Sequence, residues 1–110
     1  MLGRAWLPGW EDRVEIKEFQ ELIAGTYLEK DGRRGEWGTF GWLVEEIGEL
    51  SRAMRDGDLD SMREEIADVL AWLASLANLY GIDLGEAARK YEGGCPKCGV
   101  MPCSCREDGA

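Results

Sequence analysis

The sequence predicts an all-α fold, and three observations carry that reading. Apolar residues recur at helical period across 40–54 and again across 62–80. Glycines and Asp–Gly steps interrupt these stretches at spacings suited to helix ends. No segment alternates apolar and polar residues as a half-buried strand does. At 110 residues the chain holds one small core. The expected organisation is an N-terminal arm over 1–12, a four-helix-bundle-type domain over 13–92, and a cysteine-rich tail over 93–110.

The arm carries Trp6, Pro8, Gly9 and Trp10, aromatics suited to docking on the body or on another subunit. The first helix is expected from Asp12 or Arg13 to about Glu29, with Val14, Phe19, Leu22, Ile23 and Leu28 on its apolar face. Lys30 to Gly38, rich in glycine and charge, reads as a loop, and Thr39 as the N-cap of the second helix. That helix runs to about Arg55, where Asp56-Gly57-Asp58 breaks the pattern. The third begins near Asp60 or Ser61 and ends at Tyr80, with Gly81 suited to the left-handed cap. Asp83 caps a short fourth helix from Leu84 to about Tyr91, and Gly93-Gly94 ends it.

The chemistry lies in Glu46-Ile-Gly-Glu49 and Glu65-Ile-Ala-Asp68. Residues three apart on a helix are surface neighbours, so each pair aims two carboxylates at one point. On the second helix the apolar stripe is Phe40, Leu43, Val44, Ile47, Leu50 and Met54. Glu46 and Glu49 lie roughly 100° and 160° to one side of its centre. On the third, the stripe is Met62, Ile66, Val69, Leu70, Leu73, Leu76 and Tyr80. Glu65 and Asp68 lie roughly 80° and 140° from its centre in the same sense. Folding the two helices into a hairpin about Gly57 brings both pairs to one side, each about 15 Å from the turn. Four carboxylates so placed form an oxygen cage suited to Mg²⁺ or Mn²⁺. The alternative is two solvated acidic faces.

Charge and composition exclude other chemistries. A formal charge of −9 argues against gripping a nucleic-acid polymer, which takes clustered Lys and Arg. Histidine is absent, which removes His bases, Ser-His and Cys-His pairs and His ligands. No apolar run reaches membrane-spanning length and no secretory leader is evident, so the expected setting is the cytoplasm, away from membranes.

Glu45-Glu46-Ile-Gly-Glu49-Leu50, then Glu65-x-x-Asp68-Val69-Leu70, then Leu76-Ala77-Asn78-x-x-Gly81-Ile82-Asp83-Leu84, resembles the MazG-like nucleotide pyrophosphohydrolases of the all-α NTP pyrophosphatase superfamily. The resemblance spans roughly residues 15 to 91. It implies that Glu46, Glu49, Glu65 and Asp68 hold Mg²⁺. It implies hydrolysis of a nucleoside triphosphate between its α- and β-phosphates. For Glu45 it implies a part in orienting or deprotonating the water, with a solvated surface acid as the alternative. Phosphoribosyl-ATP is a second substrate class within the superfamily, and a catalytically idle helical adaptor is the reading from another class.

Positive side chains suited to a triphosphate are Lys30, Arg33 and Arg34 before the second helix, with Arg89 and Lys90 matching the basic end of the family's last helix. Trp37, Trp42 and Trp72 are candidates to stack on a base, Trp72 foremost because it lies one turn beyond Asp68. Asn78, an amide in an apolar helix, either reaches the substrate or caps a backbone group.

In the tail, Cys95-Pro-Lys-Cys98-Gly and Cys103-Ser-Cys105 offer four thiolates to a structural Zn²⁺, which the nearly apolar-free segment needs in order to fold. Redox-active thiols, disulfides and an unstructured tail are the alternatives. The third helix is apolar over most of Val69 to Leu79, more than one small chain covers, so a homodimer or homotetramer is expected.

Overall fold

The computed structural model describes residues 13–106, so the expected aromatic arm and a helix start at Asp12 lie outside the described residues. Four α-helices follow in order: α1 (Ile16–Arg34), α2 (Glu36–Asp56), α3 (Leu59–Tyr80) and the short α4 (Leu84–Ala88), which passes into a 3-10 turn at Arg89–Tyr91. Among the described residues there is no strand, and no single helix is long and apolar enough to cross a membrane.

Helix ends follow local chemistry. Glu15, rather than Asp12 or Arg13, starts α1 through a reciprocal capping box with Glu18. Asp58 caps α3 by accepting from the backbone N–H groups of Asp60 and Ser61. Its carboxyl is held below the usual range, foremost by the Ser61 hydroxyl. Asp83 caps α4 through the Glu86 N–H. Gly57 and Gly81, at φ of 68° and 67°, close α2 and α3 in the left-handed conformation that side chains disfavour.

The predicted loop over 30–38 does not exist. α1 runs through it to Arg34, and α2 starts at Glu36. Only Gly35, at φ 89°, breaks the chain. Its carbonyl accepts from the Thr39 N–H at 3.0 Å, so Thr39 lies inside α2 instead of capping it. The physical reason is that Asp31 and Arg34 face inward and pair at 2.7 Å, which carries the helix through Gly32 despite its entropic cost.

α2 and α3 form a helical hairpin, and α1 packs mainly along α3. The buried positions are small: Thr39, Ala53, Ala74, Ser75 and Ala77, with Leu43 and Ile23 the larger members. Small side chains let the helix backbones approach closely. The predicted apolar stripes are therefore largely unburied within one chain: Phe40, Val44, Ile47 and Met54 on α2 are exposed, as are Ile66, Leu70, Leu73 and Tyr80 on α3. A polar lock joins α1 to α3. Gln20 donates to the Asn78 carbonyl oxygen at 3.0 Å, Asn78 donates to the Gln20 backbone carbonyl at 3.3 Å, and Leu84 N–H donates to the Gln20 side chain. Asn78 thus meets a backbone carbonyl, that of Gln20.

Candidate active site and metal centres

The hairpin brings the two acidic pairs to one place. Glu46 on α2 and Glu65 and Asp68 on α3 offer carboxylate oxygens that all lie within 4.8 Å of one another. Glu49 lies outside that triad yet close enough for its charge to act on Glu46. Glu45 is exposed. Burial, then the charge of Asp68, then a hydrogen bond and charge from Glu65, raise the Glu46 pKa above its ordinary value of 4.5. Hard carboxylate oxygens under mutual repulsion are the donor set that a small divalent cation relieves. The triad therefore fits Mg²⁺ or Mn²⁺.

Asp68 also lines a cavity of about 260 Å³ between α1 and α3, with Tyr27, Lys30, Asp31, Arg34, Ala71, Trp72 and Ser75. Two of the predicted cations and the foremost predicted aromatic thus meet at one wall. Arg34 is fixed there by Asp31 at 2.7 Å, by the Thr39 hydroxyl at 3.3 Å, and over the Trp72 ring at 4.8 Å. Trp72 stacks in turn on Trp42, centroids 6.0 Å apart and planes inclined by 15°. Gly38 leaves room for this arrangement: a Cβ there would stand 2.7 Å from Arg34 Cγ.

Other predicted residues sit elsewhere. Arg33 pairs with Glu29 at 3.0 Å on the exposed face of α1, and Arg89 pairs with Glu92 at 3.3 Å. Lys90 lies 5.7 Å from the Tyr91 ring centroid. Trp37 is 80% exposed and meets Phe40 edge-on. None of these lines the cavity beside Asp68. Sequence reasoning missed Tyr27, Asp31 and Ser75. Asp31 was hidden by the loop assignment, and its one signal was its place three residues before Arg34.

The four cysteines converge as well, their sulfurs within 4.8 Å of one another. Cys95 and Cys105 are 3.7 Å apart and Cys98 and Cys103 3.9 Å apart, close to the ~3.8 Å edge of a tetrahedron with Zn–S bonds of about 2.3 Å. The backbone N–H of Ser104 donates to Cys98 at 3.3 Å and, foremost among the local donors, draws its pKa down to about 5. The N–H groups of Cys98 and Lys97 lower Cys95. Cys105 is pushed up to about 11, first by its contact with Cys103. Gly94, at φ 99°, starts this turn where a Cβ would strike the Val100 backbone at 2.8 Å.

Comparison with known proteins identifies a family. The profile of the MazG nucleotide pyrophosphohydrolase domain matches residues 36–99, which covers α2, α3, α4 and the first two cysteines. The chain is 39% identical over 74 residues to a dATP/dGTP diphosphohydrolase of Cyanophage S-2L, covering 67% of each chain. It is 30% identical over 96 residues to the uncharacterized protein YvdC of Bacillus subtilis (strain 168), covering 70% of this chain and 82% of that one.

The raised Glu46 has a consequence for the metal-free protein. A folded pKa above the unfolded one gives stability that is present below pH 4.5 and lost as pH rises through the folded value. Glu46→Gln, which has no such loss, should melt higher than the parent at pH 7 in chelator, and the gap should close below pH 4.5. Thermal melts across that range check it; a gap independent of pH contradicts the repulsion.

Proposed function

The chain belongs to the MazG nucleotide pyrophosphohydrolase family, and on that premise we propose that it is a Mg²⁺-dependent enzyme that cleaves purine deoxynucleoside triphosphates between the α- and β-phosphates. The convergence of Glu46, Glu65 and Asp68 beside the cavity carries this reading. Water adds across the α–β bridge, and the products are the monophosphate and pyrophosphate. When bound, Mg²⁺ neutralises phosphate charge and makes water a better nucleophile. Glu46, Glu65 and Asp68 would hold it, with Glu49 beside them. Glu49 and Glu45, outside the triad, are the acids available to take the proton from water. Lys30 and Arg34 on the cavity wall offset the charge of the polyanion in an otherwise acidic protein. The purine deoxynucleotide follows from the named substrates of the cyanophage relative.

The cysteine cluster fits one structural zinc, since four thiolates leave no position for water. It follows Asp68 by a full helix and a Gly-Gly break, so its part is assembly or partner contact rather than hydrolysis. The exposed apolar faces of α2 and α3 fit a homodimer or homotetramer, because patches of this kind are rarely left in water.

Three outcomes test this. Glu49→Gln or Asp68→Asn should lower pyrophosphate release from dATP or dGTP with Mg²⁺ by at least about a hundredfold while the helical circular-dichroism signal persists; activity within a few-fold of the parent removes the acids from the reaction. Elemental analysis should find one zinc per chain, lost in Cys98→Ser, and a chain ending at Gly94 should still hydrolyse its substrate. A truncated protein that folds but is inert would place the tail in the active site. Sedimentation equilibrium at micromolar concentration should show a dimer or tetramer, whereas a clean monomer contradicts the assembly.

A further inference from the structure

Asp31 is the one buried charged residue among the described residues, 1% exposed, and half of its carboxylate is unaccounted for. Oδ1 accepts from Arg34 at 2.7 Å. Oδ2 is buried and has no hydrogen-bond partner. An unpaired polar atom in the interior is costly, and native structures seldom keep one without a use. Asp31 also lines the cavity whose wall includes Asp68, the one member of the acidic triad that reaches it. In the pose considered, the phosphates lie at the triad beside Asp68, within reach of Lys30 and Arg34, and the nucleoside end extends along the cavity to Asp31. An ionised carboxylate only accepts hydrogen bonds, so Oδ2 favours a ligand that brings an N–H donor. Arg34, held by Thr39 and Trp72 as well as by Asp31, fixes the carboxylate in place.

We propose that Asp31 is the specificity-determining residue of this cavity, its Oδ2 accepting a hydrogen bond from the exocyclic amino group of a purine base. This rests on the purine triphosphate reading above and names the group by which the base is read. A sugar hydroxyl is also a donor, so the test varies the amino group alone.

The experiment measures kcat/KM of the full-length protein with Mg²⁺ for two pairs: dGTP against dITP, which lacks the 2-amino group, and dATP against purine 2′-deoxyriboside triphosphate, which lacks the 6-amino group. In at least one pair the amino-bearing substrate should be preferred by about tenfold or more, the usual worth of a hydrogen bond to a charged group. In Asp31→Asn the amide nitrogen can replace Oδ2 and present a donor to a donor, so the preference should fall to within about threefold of unity. Its melting midpoint confirms that the variant folds; if it does not fold, the wild-type pairs decide. Equal rates within both pairs, or a folded Asn variant that keeps the full preference, overturn the role of Asp31 while leaving the hydrolase reading in place. Failure to hydrolyse any of the four overturns the purine reading and this proposal with it.

Discussion

Three carboxylates are forced together by helix pairing, and the rest of the molecule is arranged around that fact. Glu46 sits on α2 and Glu65 and Asp68 on α3, so their proximity exists only while the hairpin does. The Gly57 cap and the Asp58 N-cap set the turn. Small residues at the contact, among them Ala53, Ala74 and Ala77, let the backbones come close enough for side chains on both helices to converge. Burial first, and then the charges of Asp68, Glu65 and Glu49, raise the pKa of Glu46. The hairpin therefore holds a charge arrangement that a small divalent cation would stabilise.

The two metal-ligand groups divide by chemistry. Carboxylate oxygens that stay partly exposed suit a hard cation that keeps open positions for water and phosphate. Four converging thiols, those of Cys98 and Cys103 met by local backbone N–H donors, suit a soft or borderline ion with a closed shell. The absence of histidine sharpens this division, because no ligand in the chain is shared between the two chemistries.

Much of this was legible in the sequence. Helical period, Asp caps and Gly stops located the end of α2, both ends of α3 and the start of α4 within a residue or two, because each signal acts locally. The acid spacing anticipated a cage of four carboxylates; Glu46, Glu65 and Asp68 converge, and Glu49 lies outside their triad. The segment 30–38 misled because Gly32, Gly35 and Gly38 carry the same letter and do different things. Gly32 is simply helical, Gly35 alone takes a positive φ, and Gly38 makes room for Arg34. What decides among them is the Asp31–Arg34 pair, whose i,i+3 spacing is visible in the sequence but whose burial is a tertiary fact. The apolar stripes were correctly periodic, yet within one chain the buried contacts fall mainly on Ala, Ser and Thr. Period alone does not say which neighbour an apolar face meets.

The most direct measurement is the anomalous scattering of Mn²⁺ in crystals of the full-length protein, without nucleotide. The account predicts a manganese peak coordinated by carboxylate oxygens of Glu46, Glu65 and Asp68, at the centre of the triad. A peak elsewhere on the protein, with those three side chains turned apart into solvent, would contradict it.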